Sequence, residues 1–268
     1  MQDLVGLPGI SLQSISIYLL LLMLSSLRIG AFLVASPFFG SRMIPLTVRI
    51  VFSIALGLGI MIQVEFPDLE ILMGASLLPI IFQEIFVGLA CGMVLSICFS
   101  SVILAGEKIA ATSGLAFAAQ IDPTSGAQSP VISQIFQLFL LILFFSLNGH
   151  LVIFDLIFKS FELVPLGSFY QFESVIEKSL QSSNTIYSNA VIIVLPIVSI
   201  LFFMNLGIGF ITKSAPQLNL FSFGFPLTIL GTFFALYFSV DALQFVFNGL
   251  INEAIGYVKS ILEASPDG

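Results

Sequence analysis

Long apolar runs alternate with short polar breaks along this chain. The first run, Leu4 to Leu27, is roughly 24 residues without a charge, long enough to cross a bilayer as a helix. Arg28 lies inside the apolar pattern and Pro37 ends it. After the polar turn Gly40-Ser41-Arg42, Pro45 stands at a helix start, where its missing N–H costs nothing. A second run covers Ile50 to Val64, and Phe66-Pro67-Asp68 breaks it off. A third begins near Ile71, carries Glu84, and continues charge-free from Ile85 to Gly106. It is long for one straight span, so a kink or re-entrant piece is expected at Pro79. Gly88 and Gly92 form a G-x-x-x-G spacing, which permits close helix contact.

Gly114 to Pro130 differs in character. No apolar face persists, and Asp122-Pro123 and Ser125-Gly126 are turn signals. This predicts an ordered loop between two hydrophobic helices, and its low charge suits a loop shielded by protein. The fourth run, Val131 to Phe158, is interrupted by Asn148-Gly149-His150 and by Asp155. The most polar stretch, Lys159 to Asn189, then separates a front part, residues 1–185, from a back part, residues 186–268. The back part has two apolar runs, Ala190 to Ile211 and Phe221 to Val240, joined by the turn from Thr212 to Asn219. That is a helical hairpin, with kinks expected at Pro196 and Pro226. From Asn252 the chain is mildly amphipathic. No period of 20–50 residues repeats, which excludes a solenoid. The expected fold is an all-α membrane protein of hydrophobic hairpins and kinked helices.

Composition narrows the class. Charged residues make up 9% of the chain and hydrophobic residues 58%, with mean hydropathy +1.13. A soluble domain carries about 25% charged residues. So little charge cannot cover a water-facing surface, and the chain needs lipid or many apolar partners. The net charge of −7, with 8 Lys and Arg, offers no basic patch for nucleic acid. The leading residues hold Asp3 and no Lys or Arg, and the run behind them exceeds a signal-peptide core, so that run is expected to stay in the mature protein. If six segments alternate across a membrane, Arg42, Arg49, Lys108 and Lys213 fall on one side and Lys159, Lys178 and Lys259 on the other. Clear spanning proteins usually show a stronger bias, so helices packed mainly against partner subunits are one explanation.

Catalytic sets are missing from the sequence. His150 is the one histidine, beside a glycine at a break, and reads as a packed structural residue. No phosphate-binding glycine motif and no zinc-spaced cluster occurs, so neither an enzyme nor a cofactor or metal is expected. Cys91 and Cys98 read as small buried hydrophobes. What remains is a scatter of ionisable groups in apolar runs: Arg28, Glu84, Glu107, Lys108, Asp155 and Asp241. Each is costly in hydrocarbon and should face protein or water. An ion pair between helices or subunits is the structural reading, and a proton or ion relay the functional one. Glu107 and Lys108 are expected to neutralise each other partly, near a helix end.

Four ordered segments resemble the FliR family. They are Pro37-Phe38-Phe39-Gly40-Ser41-Arg42-Met43-Ile44-Pro45 with Val48-Arg49; Ala105-Gly106-Glu107 with Gly114-Leu115-Ala116-Phe117 and Asp122-Pro123; Asn148-Gly149-His150-Leu151 with Ser160-Phe161 and Pro165-Leu166-Gly167; and Ala215-Pro216-Gln217-Leu218-Asn219-Leu220-Phe221 with Gly224-Phe225-Pro226-Leu227. The resemblance implies an export-gate subunit of flagellar type III secretion in the bacterial inner membrane and the flagellar basal body. It implies a FliP-like front part and a FliQ-like back hairpin. The expected partners are FliP-type, FliQ-type and FlhB-type proteins, unfolded export substrates and membrane lipid. It also implies a lumen plug in the loop of about residues 106–130, for which Gly114, Leu115, Phe117, Asp122, Pro123 and Gly126 are the candidates. Phe117 would supply an apolar constriction, and Gly114 and Gly126 sharp folding. Candidates for structure and assembly are Arg42, Arg49, Glu84, Glu107, Lys108, His150, Pro216, Gln217, Asn219 and Pro226. Three rival readings stay open at this point. One is the equivalent subunit of a virulence injectisome. Another is a secondary transporter using helices broken at Pro79 or Pro196 and coupling at Glu84 or Asp241. The third is an assembly scaffold that never touches cargo.

Overall fold

The structure is a computed structural model and describes residues 12–41, 44–63, 77–115, 130–167, 172–217 and 223–263. Among them it contains eight helices and no strand. They are α1 (Leu12–Ala35), α2 (Leu46–Gln63), α3 (Leu77–Ser113), α4 (Val131–Ser146), α5 (Gly149–Leu163), α6 (Phe172–Ser214), α7 (Phe225–Phe238) and α8 (Val240–Leu262). Four of these are long and apolar enough to cross a membrane: α1, α2, α3 and α6. The pairs α4–α5 and α7–α8 are each bent, by 67° and 65°, and count as two further spans if each pair is one. The chain is an all-α membrane protein with kinked helix pairs.

The apolar runs place most helix ends. Pro45 directly precedes α2 and accepts the Val48 N–H at 3.0 Å. Asn148 takes φ +57 at the α4–α5 break, a left-handed turn that asparagine tolerates better than most residues. Pro79 behaves differently from the expected kink. It sits in the first turn of α3, where no helical N–H is needed, so α3 runs unbroken for 37 residues. At 1.5 Å per residue that is roughly 55 Å, well beyond the ~30 Å of a hydrocarbon core. Pro226 likewise starts α7, and the bend falls at Ser239 instead. Pro196 lies inside α6. The latter half of the polar stretch after Lys159 is the start of α6, which passes residue 185 without a break.

Packing divides the chain into two compact units that interleave in sequence. The first holds residues 1–96, 151–180 and 255–268, and the second residues 97–150 and 181–254. In the first unit, α1 lies against α2 and α3. A side chain at Gly88 would collide with the Arg28 carbonyl, and one at Gly92 would stand 2.6 Å from the Ala35 methyl. The Ser25 hydroxyl donates to the Gly57 carbonyl at 3.3 Å. Apolar side chains gain little from leaving lipid for protein, so close backbone approach and hydrogen bonds carry helix association here. In the second unit, α3 crosses α4 at Gly106, where a Cβ would come within 2.5 Å of the Ser133 Cα. The Ser133 hydroxyl donates to the Ile103 carbonyl at 3.2 Å. Edge-on aromatic contacts, Phe99 with Phe144 and Phe136 with Phe247, fill its interior. Cys91 and Cys98 are both buried and unoxidised, as packed hydrophobes should be.

Candidate functional site

Two polar constructions stand out, one in each unit. In the first unit α1 carries Arg28 into the interior, fully buried, and α3 brings Glu84 opposite it, also fully buried. The close α1–α3 approach at Gly88, one turn beyond Glu84, makes this meeting possible. The guanidinium Nε donates to Glu84 Oε2 at 2.8 Å and Nη2 to Oε1 at 2.8 Å, a two-point pair. Nη2 also donates to the Val164 carbonyl at 2.8 Å. Nη1 donates to the Ser160 carbonyl at 2.7 Å and to the Ser160 hydroxyl at 2.9 Å. An arginine has five N–H groups, and this arrangement occupies all of them. The Phe161 ring lies 4.1 Å from the guanidinium carbon and adds a cation–π contact. Val164 lies just past the C-terminal end of α5, where the last carbonyls lack helical partners and a cation is favoured. Arg28 therefore clasps three helices together: α1, α3 and α5.

The second unit holds the turn at the end of α3. The helix ends at Ser113, and Gly114 turns the chain out with φ +83. A side chain there would press to 2.7 Å from the Phe225 ring, so position 114 is restricted twice, by conformation and by space. Thr228, one turn into α7, donates its hydroxyl to the Ser113 carbonyl at 3.0 Å. The Leu115 N–H reaches the Ser113 hydroxyl at 3.5 Å. On α6, the Asn205 side-chain amide donates to the Thr112 carbonyl at 3.5 Å. The start of α7 thus holds the end of α3, and Pro130 stands at the N-cap position of α4 without a side-chain cap bond.

The expected site residues distribute unevenly. Gly114 and Leu115 meet at the anchor, whereas Phe117, Asp122, Pro123 and Gly126 lie outside the described residues, as do Arg42 and Asn219. Glu84 is the acid of the clasp. Glu107 and Lys108 are exposed and, among the described residues, make no ion pair with each other. Neighbouring residues on a helix point about 100° apart, so adjacency does not produce contact. Asp155 pairs instead with Lys159 one turn on, at 2.8 Å on the surface, and Asp241 is exposed in the first turn of α8. His150 is half-buried with its ring 4.8 Å from that of Phe145, and its Nδ1 has no hydrogen-bond partner. Arg49, on α2, donates to the Ser41 and Ile44 carbonyls. Pro216 and Gln217 are exposed in the turn after α6, and Pro226 is exposed at the start of α7. The sequence pattern does not pair Arg28 with Glu84, and it gives no role to Ser160, Phe225 or Thr228. Two clues were available: one arginine and one glutamate in apolar runs ask for each other, and Phe225 stands beside Pro226 at a helix start.

The residues matched by a protein-family model take in both constructions. The family model described as bacterial export proteins, family 1, matches residues 19–254. The chain is 30% identical to the flagellar biosynthetic protein FliR of Escherichia coli (strain K12) over 203 residues, which cover 76% of this chain and 77% of that one. It is 31% identical to the flagellar biosynthetic protein FliR of Bacillus subtilis (strain 168) over 243 residues, 88% of this chain and 92% of that one. It is 27% identical to the surface presentation of antigens protein SpaR of Shigella flexneri over 239 residues, 87% and 90% of the two chains.

Proposed function

The chain belongs to the bacterial export proteins, family 1, and from that premise we propose that it is a subunit of the flagellar type III protein-export gate in the bacterial inner membrane, at the flagellar basal body. In this reading it joins FliP-type and FliQ-type subunits, with an FlhB-type partner, around a channel for unfolded flagellar proteins. Residues 1–185 form the FliP-like part and residues 186–268 the FliQ-like hairpin. Similarity over most of two flagellar biosynthetic proteins carries the flagellar assignment.

The helix surfaces support a role within an assembly. In the apolar windows of α2 and α6 only 17% and 22% of residues are buried within the chain. Phe202, Phe203 and Phe210 on α6, and Phe233, Phe234 and Phe238 on α7, are all exposed. Gly207 and Gly209 have open space where a side chain would sit, leaving bare backbone for another helix to approach. The turn at Pro216-Gln217 and Asn219 is the proposed contact with neighbouring subunits. The loop beginning at Leu115 is the proposed seal of the resting channel, with Phe117 as its apolar constriction. Its departure point is fastened by Gly114, Phe225 and Thr228 rather than left free.

The transporter alternative loses support. Glu84 is locked by two bonds to Arg28, Asp241 is on the surface, and Pro79 breaks no helix. The test of the proposal is ion conductance of the reconstituted complex. Shortening residues 116–127 is expected to make the closed gate leak small ions, and conductance equal to the unmodified complex counts against the seal.

A further inference from the structure

A groove of about 380 Å³ runs along the first unit between α1, α2 and the start of α3. Its volume falls within the ~300–1,000 Å³ of small-molecule sites. Ala31 and Val34 line it from α1, Leu46, Ile50 and Ile54 from α2, and Leu89 from α3. Gly30 leaves the floor open, since the atom nearest to a side chain placed there would be the Ser53 hydroxyl, 3.5 Å away. The hydroxyls along the groove are already used within their own helices. Ser53 donates to the Ile50 carbonyl at 2.8 Å, and Ser26 to the Met23 carbonyl at 2.9 Å. Nothing in these walls asks for water, and a carbon-lined groove on a bilayer-crossing pair of helices favours hydrocarbon.

One charge interrupts the carbon lining. Arg49 stands in the first turns of α2 and lines the groove. Its Nη2 donates to the carbonyls of Ser41 and Ile44, which are neutral. Its Nε is buried and has no partner, and among the described residues no carboxylate pairs with it. The first turn of α2 contains no acidic residue, so the positive end of the helix dipole adds to the same field. A guanidinium with no carboxylate beside it among the described residues is costly at a membrane helix end, and a phosphate would supply the missing negative charge.

We propose that this groove binds one acyl chain of an anionic phospholipid, with the phosphate on Arg49. The phosphate sits beside the guanidinium where it lines the groove, and the acyl chain lies along Ile50, Ile54 and Leu89. The inference rests on this groove and its charge and does not depend on the export reading.

Native mass spectrometry of the purified complex, with the full chain, tests it using dioleoyl phosphatidylglycerol and dioleoyl phosphatidylcholine as probes. The expected result is retention of the anionic lipid over the zwitterionic one by about tenfold. R49Q should bring the two lipids to parity, and R49K should keep most of the preference. G30L fills the groove while leaving Arg49 in place, and should reduce retention of the anionic lipid about tenfold even if R49Q proves unstable. Equal retention of both lipids by the unmodified complex, or undiminished retention in G30L, would overturn the proposal. So would complete displacement by millimolar inorganic phosphate, which would make Arg49 a free-anion site without an acyl seat.

Discussion

Arg28 and Gly114 both mark places where α3 meets another helix, yet they are built by opposite means. Around Arg28 every donor has its acceptor, both charges are fully enclosed, and three helices converge on one guanidinium. Around Gly114 the fastening is one hydroxyl bond from Thr228, the Phe225 ring close beside it and a left-handed glycine. The first arrangement has a single good solution, because removing either charged partner strands the other where water cannot reach. The second can loosen at the cost of one neutral hydrogen bond. In the proposed gate role both kinds of join have a use: a body that holds its shape, and a segment that can be released when cargo arrives.

The largest effect should come from leaving the clasp half made. E84A strands Arg28 and is expected to destabilise the protein by about 3–5 kcal/mol, seen as loss of accumulated protein and a lower melting temperature of the complex. The paired change R28M/E84L removes both charges and should recover most of that loss. If the double variant melts as low as E84A, stability lies in something other than charge pairing. G114V should follow at roughly 1–2 kcal/mol for the left-handed backbone alone, with a further cost from contact with Phe225. Its signature should be a change in resting conductance of the assembled complex at near-normal yield. T228V, which keeps the shape and removes the bond to Ser113, should cost about 1 kcal/mol and shift conductance less than G114V does. A reversed order, with T228V leakier than G114V, would place the fastening in the hydrogen bond rather than in the turn.

Hydrophobic patterning made most of the helices readable, because a bilayer permits few other ways to satisfy a backbone in such long apolar runs. Pro45 before α2 and Asn148 between α4 and α5 fell where the pattern put them. Pro79 and Pro226 did not act as expected, since a proline's effect depends on its distance from a helix start, and that start is set by packing. The polar residues after Lys159 suggested a divider, yet many of them belong to α6. Two of these fasten α6 to α8, each within its own unit: Lys178 to the Ser260 carbonyl at 2.5 Å, and Asn189 to Glu253 at 2.9 Å. The pairing of Arg28 with Glu84 was out of reach because 56 residues separate them and no local rule links the two positions. The end of α3 at Ser113 and the start of α4 at Val131 were legible from the turn residues between them. The anchor at Gly114 was not, because Thr228 looks like any other small polar residue in an apolar helix.

Photo-crosslinking from position 117 to an export substrate stalled in the assembled complex reaches furthest into this account. A probe there is expected to capture the stalled chain, while probes at Phe203 and Phe233 capture neighbouring membrane subunits instead. No substrate adduct from position 117, with efficient capture elsewhere in the same complex, would contradict the placement of this loop in the path of exported protein.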